Sequence, residues 1–87
     1  MTKYLFNVTV FCNANPGGES YGWAELPADL DDLRTVAERV FFEGATRVTV
    51  EPVGYAPCEG FEANYEPHMN PYEVAENLVT SIGAALT

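Results

Sequence analysis

The sequence predicts an α+β domain in which a four-stranded antiparallel sheet carries two helices on one face. Three observations predict this class: four runs alternate with the period of a strand, two apolar stripes have helical spacing, and the elements follow the order ββαββα. The 87 residues suffice for one domain, residues 1–87, with one core. Hydrophobic residues make up 47% of the chain, which is the share of a globular domain and not of a disordered one.

The first hairpin is predicted from alternation on both sides of a turn. Apolar and polar side chains alternate over residues 4–13, and a shorter run follows over 21–26. The segment 13–20 between them contains a Pro-Gly-Gly sequence, and these residue types favour turns. We therefore expect two strands joined by a long loop.

The first helix has start and stop signals. Asp29 is placed to cap it and Gly44 to end it, while Asp31 and Asp32 suit the positive end of the helix dipole. Its apolar stripe has five members at helical spacing: Leu30, Leu33, Ala37, Val40 and Phe41.

Two further strands are predicted downstream. Residues 46–53 alternate with Val48 and Val50 on the inward side. Residues 61–66 alternate as a fourth strand with the short length of an edge strand.

The last helix has the clearest start signal in the chain. Asn70 is a good N-cap, Pro71 suits the first helical position, and Glu73 completes a capping box. The side chains predicted to be buried are Ala75, Leu78, Val79, Ile82 and Leu86.

The order ββαββα is a circular permutation of the ferredoxin-like βαββαβ plan. Sequential hairpins pair locally, and two helices need one apolar sheet face to cover. We therefore expect both helices on one face of the sheet, with the other face open.

The two halves of the chain also resemble each other. The Val-Thr-Val sequence of residues 8–10 recurs at 48–50, and Val-Ala-Glu at 36–38 recurs at 74–76. One interpretation is tandem duplication of a ββα unit. The other is that valine-rich strands and alanine-rich helices resemble one another by composition.

The charge is the most unusual property of the sequence. Thirteen acidic residues face four basic ones, and the net charge is −9. Such a chain repels nucleic acid and anionic membranes and attracts basic surfaces. We therefore expect a basic protein as partner, with neither direct nucleic-acid binding nor membrane binding. High charge also serves solubility, which is the alternative interpretation.

The sequence favours a cytoplasmic location. No apolar stretch is long enough to span a membrane, and the first residues lack the features of a secretory signal. Cys12 and Cys58 lie far apart in the sequence and outside any C-x-x-C motif, so we expect two free thiols.

No pattern of residues indicates catalysis, so we expect a binding protein rather than an enzyme. His68 is the only histidine, too little for a structural metal site, and a surface position accounts for it. Cys58 with His68 has no evident third group to orient the base. We predict no catalytic residues, no metal and no cofactor.

Acidic and aromatic residues are the candidates for partner binding. Asp31, Glu38 and Phe42 project to one side of the first helix, with Phe42 about 140° from the buried Ala37. The alternative is that Phe42 folds over the helix end onto the sheet edge. Four more acids are predicted to extend this surface into one continuous acidic face: Glu62, Glu66, Glu73 and Glu76.

Two aromatic residues on the second strand form another candidate surface. Tyr21 and Trp23 share one side of a regular strand. If Ala24 and Leu26 point inward, both rings point out onto the open sheet face, where an apolar patch marks an interaction site. In the opposite register both rings belong to the core.

In size, charge and α+β pattern the chain resembles the small phage-encoded inhibitors of bacterial defence known as anti-CRISPR proteins. The resemblance covers the whole chain and involves no sequence motif. The residues that carry it are the acids Asp29, Asp31, Asp32, Glu38, Glu43, Glu59, Glu62, Glu66, Glu73 and Glu76.

The resemblance implies a protein that imitates the charge of DNA and occupies a nucleic-acid groove. The target would be a bacterial defence complex, for example a CRISPR surveillance complex. The protein would then act in the cytoplasm of an infected bacterium. The alternative function is that of a small interaction module, an accessory subunit or a homodimer that uses the open sheet face.

Overall fold

A computed structural model describes residues 2–87. The elements are β1 (Tyr4–Cys12), β2 (Asn15–Leu26), α1 (Leu30–Phe42), β3 (Ala45–Pro52), β4 (Phe61–Asn64) and α2 (Pro71–Leu86). The predicted α+β class and the order ββαββα are confirmed.

The four strands form one antiparallel sheet in the order β2-β1-β3-β4. Each hairpin therefore places its first strand at the centre of the sheet and its second strand at an edge. A plain circular permutation of the ferredoxin-like plan would place the second strands at the centre. The likeness to that plan thus holds for the order of elements along the chain.

The repeated Val-Thr-Val segments lie side by side at the centre of the sheet. The cross-strand partners of Val8, Thr9 and Val10 are Val50, Thr49 and Val48. A local two-fold axis therefore passes near the Thr9–Thr49 pair and relates β1-β2-α1 to β3-β4-α2. This is the arrangement that two joined ββα units would produce.

The core lies between the helices and one face of the sheet, as predicted. Phe6 and Val8 of β1 and Val48 and Val50 of β3 alternate with more exposed residues, so they share the face that the helices cover. Within residues 2–87 no polar or charged residue is buried. The buried residues are Phe6, Val8, Ala24, Leu26, Leu33, Ala37, Val40, Phe41, Ala45, Val48, Val50, Ala63, Ala75, Leu78, Val79 and Ile82.

The prediction of a long loop in the first hairpin is wrong. The turn takes only residues 13–14, and β2 begins at Asn15. The glycines predicted to form a loop instead allow an irregular strand. Gly18 has a φ of 82°, and a Cβ at that position would lie 2.8 Å from Cδ2 of Phe11. The missing side chain therefore makes room for the Phe11 ring in the hairpin.

The two helices begin in different ways. Asn70 caps α2 as predicted, because its side chain accepts a hydrogen bond from the Tyr72 N–H at 2.9 Å. Asp29 does not cap α1 with its side chain. Its Oδ2 accepts a hydrogen bond from the Glu25 N–H, and its own N–H donates to the Glu25 carbonyl, both at 2.8 Å. The carboxylate thus fixes the connection from β2 to α1.

The fourth strand is shorter than predicted and ends at Asn64. Tyr65 continues the pairing by one hydrogen bond, from its N–H to the Thr46 carbonyl at 2.8 Å. The Glu66 carbonyl then accepts from the Met69 N–H at 2.9 Å, so Glu66 belongs to the turn that leads to α2.

Candidate partner-binding surface

Two exposed aromatic rings meet where α1 ends and α2 begins. Phe42 is 60% exposed and Tyr72 is 57% exposed. Their ring centroids are 5.3 Å apart at an interplanar angle of 67°, which is an edge-to-face contact. Phe42 therefore points into solvent as predicted from its helical position, and the alternative of packing on the sheet edge is wrong.

The antiparallel crossing of the helices brings these rings together. The C-terminal end of α1 lies beside the first turn of α2, as the Phe42–Tyr72 contact shows. At the other end, a Cβ at Gly83 would lie 3.4 Å from Cδ1 of Leu30. Gly83 of α2 therefore lies beside the start of α1, where a Cβ would be at van der Waals distance from Leu30.

Carboxylates of the same two helices belong to the candidate surface. Arg34 bridges the helices, with Nη1 3.1 Å from Asp31 Oδ1 and Nε 2.7 Å from Glu76 Oε2. The buried Nε lacks an aligned hydrogen bond, so the contact to Glu76 is an ion pair only. Glu38 lies one turn before Phe42, and Glu73 follows Tyr72 in the sequence. Neither Glu38 nor Glu73 forms an ion pair with any residue in the range 2–87.

We call this surface the helix patch. It consists of Asp31, Glu38, Phe42, Tyr72, Glu73 and Glu76. Five of these residues were predicted partner-binding residues, and Tyr72 was not. The sequence signal for Tyr72 is its position in the first turn after the N-cap Asn70, where a side chain stays exposed. In the structure this turn lies beside the end of α1.

The structure does not bring Glu62 to the helix patch. Glu62 is paired across the ladder with Thr49, and its neighbour Ala63 is buried beneath the helices, so Glu62 faces the open side of the sheet. There its Oε1 is 3.1 Å from Nη1 of Arg47. Glu66 lies beyond β4, with Oε2 3.8 Å from Nε2 of the exposed His68. The prediction that Glu62 extends the acidic surface of the first helix is therefore wrong.

The open side of the sheet carries its own apolar residues. Ala24 and Leu26 point inward, and Trp23, opposite Asn7, points outward with 72% of its surface exposed. Leu5 is 38% exposed and Val53 is 47% exposed, and the Val53 N–H donates to the Leu5 carbonyl at 2.9 Å. We call Leu5, Trp23 and Val53 the open-face patch.

Tyr21 does not share that face with Trp23. Because Ala24 and Leu26 point inward, both rings would point outward if β2 were regular, but β2 is irregular at this point. The ladder shifts between Val8 and Thr9, which pair with Gly22 and Ser20, so Tyr21 is an extra residue in a bulge. Its ring turns toward α1. There the Arg39 guanidinium carbon lies 5.7 Å from the ring centroid, and Nη2 donates a hydrogen bond to the tyrosine hydroxyl.

Groups that could support metal binding or thiol chemistry are dispersed. Cys12 and Cys58 are both free and half-buried, which confirms the prediction of two free thiols. Among residues 2–87, no three His, Cys, Asp or Glu side chains lie close enough together to hold a metal ion. The exposed polar and aromatic surfaces are therefore the features from which a function can be argued.

Comparison with known proteins assigns no function to these surfaces. The chain matches no protein-family model, no curated protein and no solved structure. The resemblance to anti-CRISPR proteins therefore rests on size, charge and the pattern of elements. Over residues 2–87, neither helix combines the length and apolar character that crossing a membrane requires.

Proposed function

We propose that the protein binds a basic, nucleic-acid-binding surface of another protein through the helix patch and thereby excludes nucleic acid from it. The observation that carries this proposal is the exposed Phe42–Tyr72 pair, with Glu38 one helical turn before Phe42 and Glu73 directly after Tyr72 in the sequence. An aromatic centre with a polar rim is the usual anatomy of a protein-binding site.

The aromatic pair supplies the apolar anchor. Large aromatic side chains at the centre of an interface carry much of its binding energy. Phe42 and Tyr72 already hold each other in contact, so binding restricts fewer side-chain rotamers than it would for two isolated rings. The pair is thus organised for binding before a partner arrives.

The carboxylates select a basic partner. Glu38 and Glu73 are free of ion pairs within residues 2–87, and the whole chain carries a net charge of −9. Duplex DNA presents one negative charge per roughly 1.7 Å of its axis. A groove that binds this charge also attracts an acidic protein surface, and the two then compete for the same lysines and arginines.

The target class that fits is a nucleic-acid-binding complex of bacterial defence, such as a CRISPR surveillance complex. The resemblance in size and charge to anti-CRISPR proteins supports this choice. Such an inhibitor would act in the cytoplasm of an infected bacterium. Its role would be binding and exclusion, without a catalysed reaction.

A competition assay tests the proposal. The target is captured on immobilised protein from a lysate of bacteria that carry CRISPR systems, and then purified. Labelled duplex DNA bound to it should be displaced by the wild-type protein. Phe42→Ala should weaken displacement about 30-fold at every salt concentration, the effect of losing an aromatic anchor.

Charge reversal gives the electrostatic arm of the same assay. Glu38→Lys with Glu73→Lys should weaken displacement strongly at low salt and less at high salt, because exposed charges are screened over about 8–10 Å near physiological ionic strength. Glu59→Lys, in the connection between β3 and β4, is the control for net charge and is compared with each single reversal, Glu38→Lys and Glu73→Lys, which changes the charge by the same amount. Simultaneous binding of DNA and protein to the target would contradict the proposal.

The open-face patch supports a second candidate function, that of an accessory subunit. The specific observation is Trp23, which is 72% exposed on a sheet face that no helix covers. Glu25 and Glu51 flank this patch in the ladder, so a second copy of the chain would bring like charges together. Sedimentation should therefore show a monomer, and Leu5→Lys should disrupt binding of a basic partner without changing that state.

A further inference from the structure

A cleft of about 230 Å³ lies between the edge strand β2 and α1. It lies on the side of α1 that carries Asp32 and Val36, whereas Phe42 lies on the side toward α2. The walls are mainly apolar or aromatic, and two carboxylates join them. Six of the lining residues matter here: Tyr21, Trp23, Asp29, Asp32, Leu33 and Val36.

The bulge in β2 creates this space. Gly22 occupies the ladder position opposite Val8, with a φ of 133° and no atom within 4 Å of the place where a Cβ would lie. In the other half of the molecule, Ala63 stands at the matching position opposite Val48, and the ladder is regular. The cleft therefore follows from one extra residue and one missing side chain.

The carboxylates give the cleft its polarity. One oxygen of Asp29 accepts the Glu25 N–H at 2.8 Å, which holds this carboxylate in place. Asp32 lies in the first turn of α1 and is exposed. Apolar walls beside two carboxylates suit a long cationic side chain, because its methylene stem packs on apolar surface while its charged end stays polar.

We propose that this cleft binds an arginine side chain of a partner protein. Its volume is below the range of roughly 300–1,000 Å³ that is usual for small-molecule sites, so one side chain is the ligand of matching size. The planar, weakly hydrated guanidinium stacks on aromatic rings and bonds carboxylates in two directions, which an ammonium group does less well.

The chain itself places an arginine beside an aromatic ring twice, and in one of these contacts a carboxylate also takes part. The Arg39 guanidinium lies 5.7 Å from the centroid of the Tyr21 ring at the border of the cleft. The Arg47 guanidinium lies 3.9 Å from the centroid of the Phe11 ring and also contacts Glu62. A partner arginine between an aromatic wall and Asp32 would repeat the Arg47 arrangement. The cleft is separate from the helix patch, so a result that excludes binding at one of them does not decide binding at the other.

Gly22 and Asp32 line the cleft, so their backbone amides report its occupancy. The probes are the N-acetyl amides of arginine, lysine and norleucine, titrated while amide shifts of Gly22 and Asp32 are followed by NMR. The arginine amide should bind saturably, with a dissociation constant in the millimolar range, and more tightly than the other two. Asp32→Asn should weaken it roughly tenfold, the effect of losing one charge-assisted hydrogen bond.

Three variants complete the design. Glu59→Gln removes a charge elsewhere and should leave binding unchanged, as should Phe42→Ala in the helix patch. Val36→Phe should fill the cleft and abolish binding, and circular dichroism shows whether that variant is folded. Equal binding of norleucine amide, an unchanged affinity in Asp32→Asn, or no saturable response to the arginine amide would each overturn the proposal.

Discussion

The two ββα halves of the molecule share a plan but differ in their outer strands. β1 and β3 pair symmetrically at the centre, whereas β2 has 12 residues and β4 has 4. The first hairpin turns at residues 13–14, and the second uses the connection 53–60. The central strands and the helices form the common core, and the outer strands give the two sides of the domain different surfaces.

The edges of the sheet differ in how they resist pairing with another chain. β4 is short, which limits the unpaired backbone it presents. β2 is long, but Pro16 removes one donor and the bulge at Tyr21 and Gly22 interrupts a regular edge. Strand addition is therefore disfavoured on both sides, which directs partner binding to the faces and to the cleft.

The clefts beside the two outer strands differ in chemistry. The cleft between β2 and α1 is bordered by Tyr21 and by the carboxylates of Asp29 and Asp32. The one between β4 and α2 is lined by the neutral polar side chains of Asn64, Asn77 and Ser81, among others. Phe61 and Glu62 also line the second cleft, so the first cleft differs from it in having two carboxylates instead of one and fewer neutral polar side chains.

The largest loss of stability is expected from truncating Phe41, which is a larger core side chain than Val79 of the other half. Phe41 of α1 is 2% exposed and its ring stacks on Tyr65 at 5.1 Å, while Val79 of α2 is 4% exposed. Phe41→Ala should lower the free energy of unfolding by about 3–5 kcal/mol, because a large cavity remains. Val79→Ala should cost less than half as much. Urea denaturation measures both, and equal losses would contradict the unequal contribution.

An intermediate effect is expected at the irregular start of β2. Gly18→Ala should destabilise the protein by about 1–3 kcal/mol, because alanine tolerates a φ of 82° poorly and its Cβ would strike the Phe11 ring. Gly17→Ala is the matched control, since nothing lies within 4 Å of a Cβ there. It should change stability by about 0.5 kcal/mol or less. Similar losses in both variants would show that the hairpin does not depend on this close approach.

The smallest effect compares the starts of the two helices. Asn70→Ala should cost about 1 kcal/mol and speed hydrogen exchange of the Tyr72 amide, because the cap on α2 is lost. Asp29→Ala should instead speed exchange of the Glu25 amide and leave the first turn of α1 unchanged. Faster exchange in α1 after Asp29→Ala would mean that Asp29 caps that helix after all.

Local patterns were sufficient to predict the fold. Alternation and helical spacing placed all six elements, and the cap at Asn70 was identified from a side chain that bonds within its own turn. Errors arose where contacts distant in sequence decide the structure. Gly18 looked like a turn residue because the Phe11 ring that needs its space lies on the other strand.

The candidate site was predictable only in part for the same reason. Asp31, Glu38 and Phe42 follow from one helical wheel, but Tyr72 joins them through the crossing of two helices. Glu62 was placed on the wrong surface because exposure on a strand does not tell which face of the molecule is exposed. The bulge that separates Tyr21 from Trp23 leaves no sign in a simple alternation.

Two apolar truncations test most directly whether partner binding uses the helix patch or the open-face patch. Phe42→Ala removes a ring from the helix patch, and Leu5→Ala shortens a side chain on the open face. Affinity for the captured target is measured for each across a salt series. We predict a loss of about 30-fold for Phe42→Ala at every salt concentration and a change within about twofold for Leu5→Ala. An unchanged affinity for Phe42→Ala together with a large loss for Leu5→Ala would contradict the assignment of binding to the helix patch.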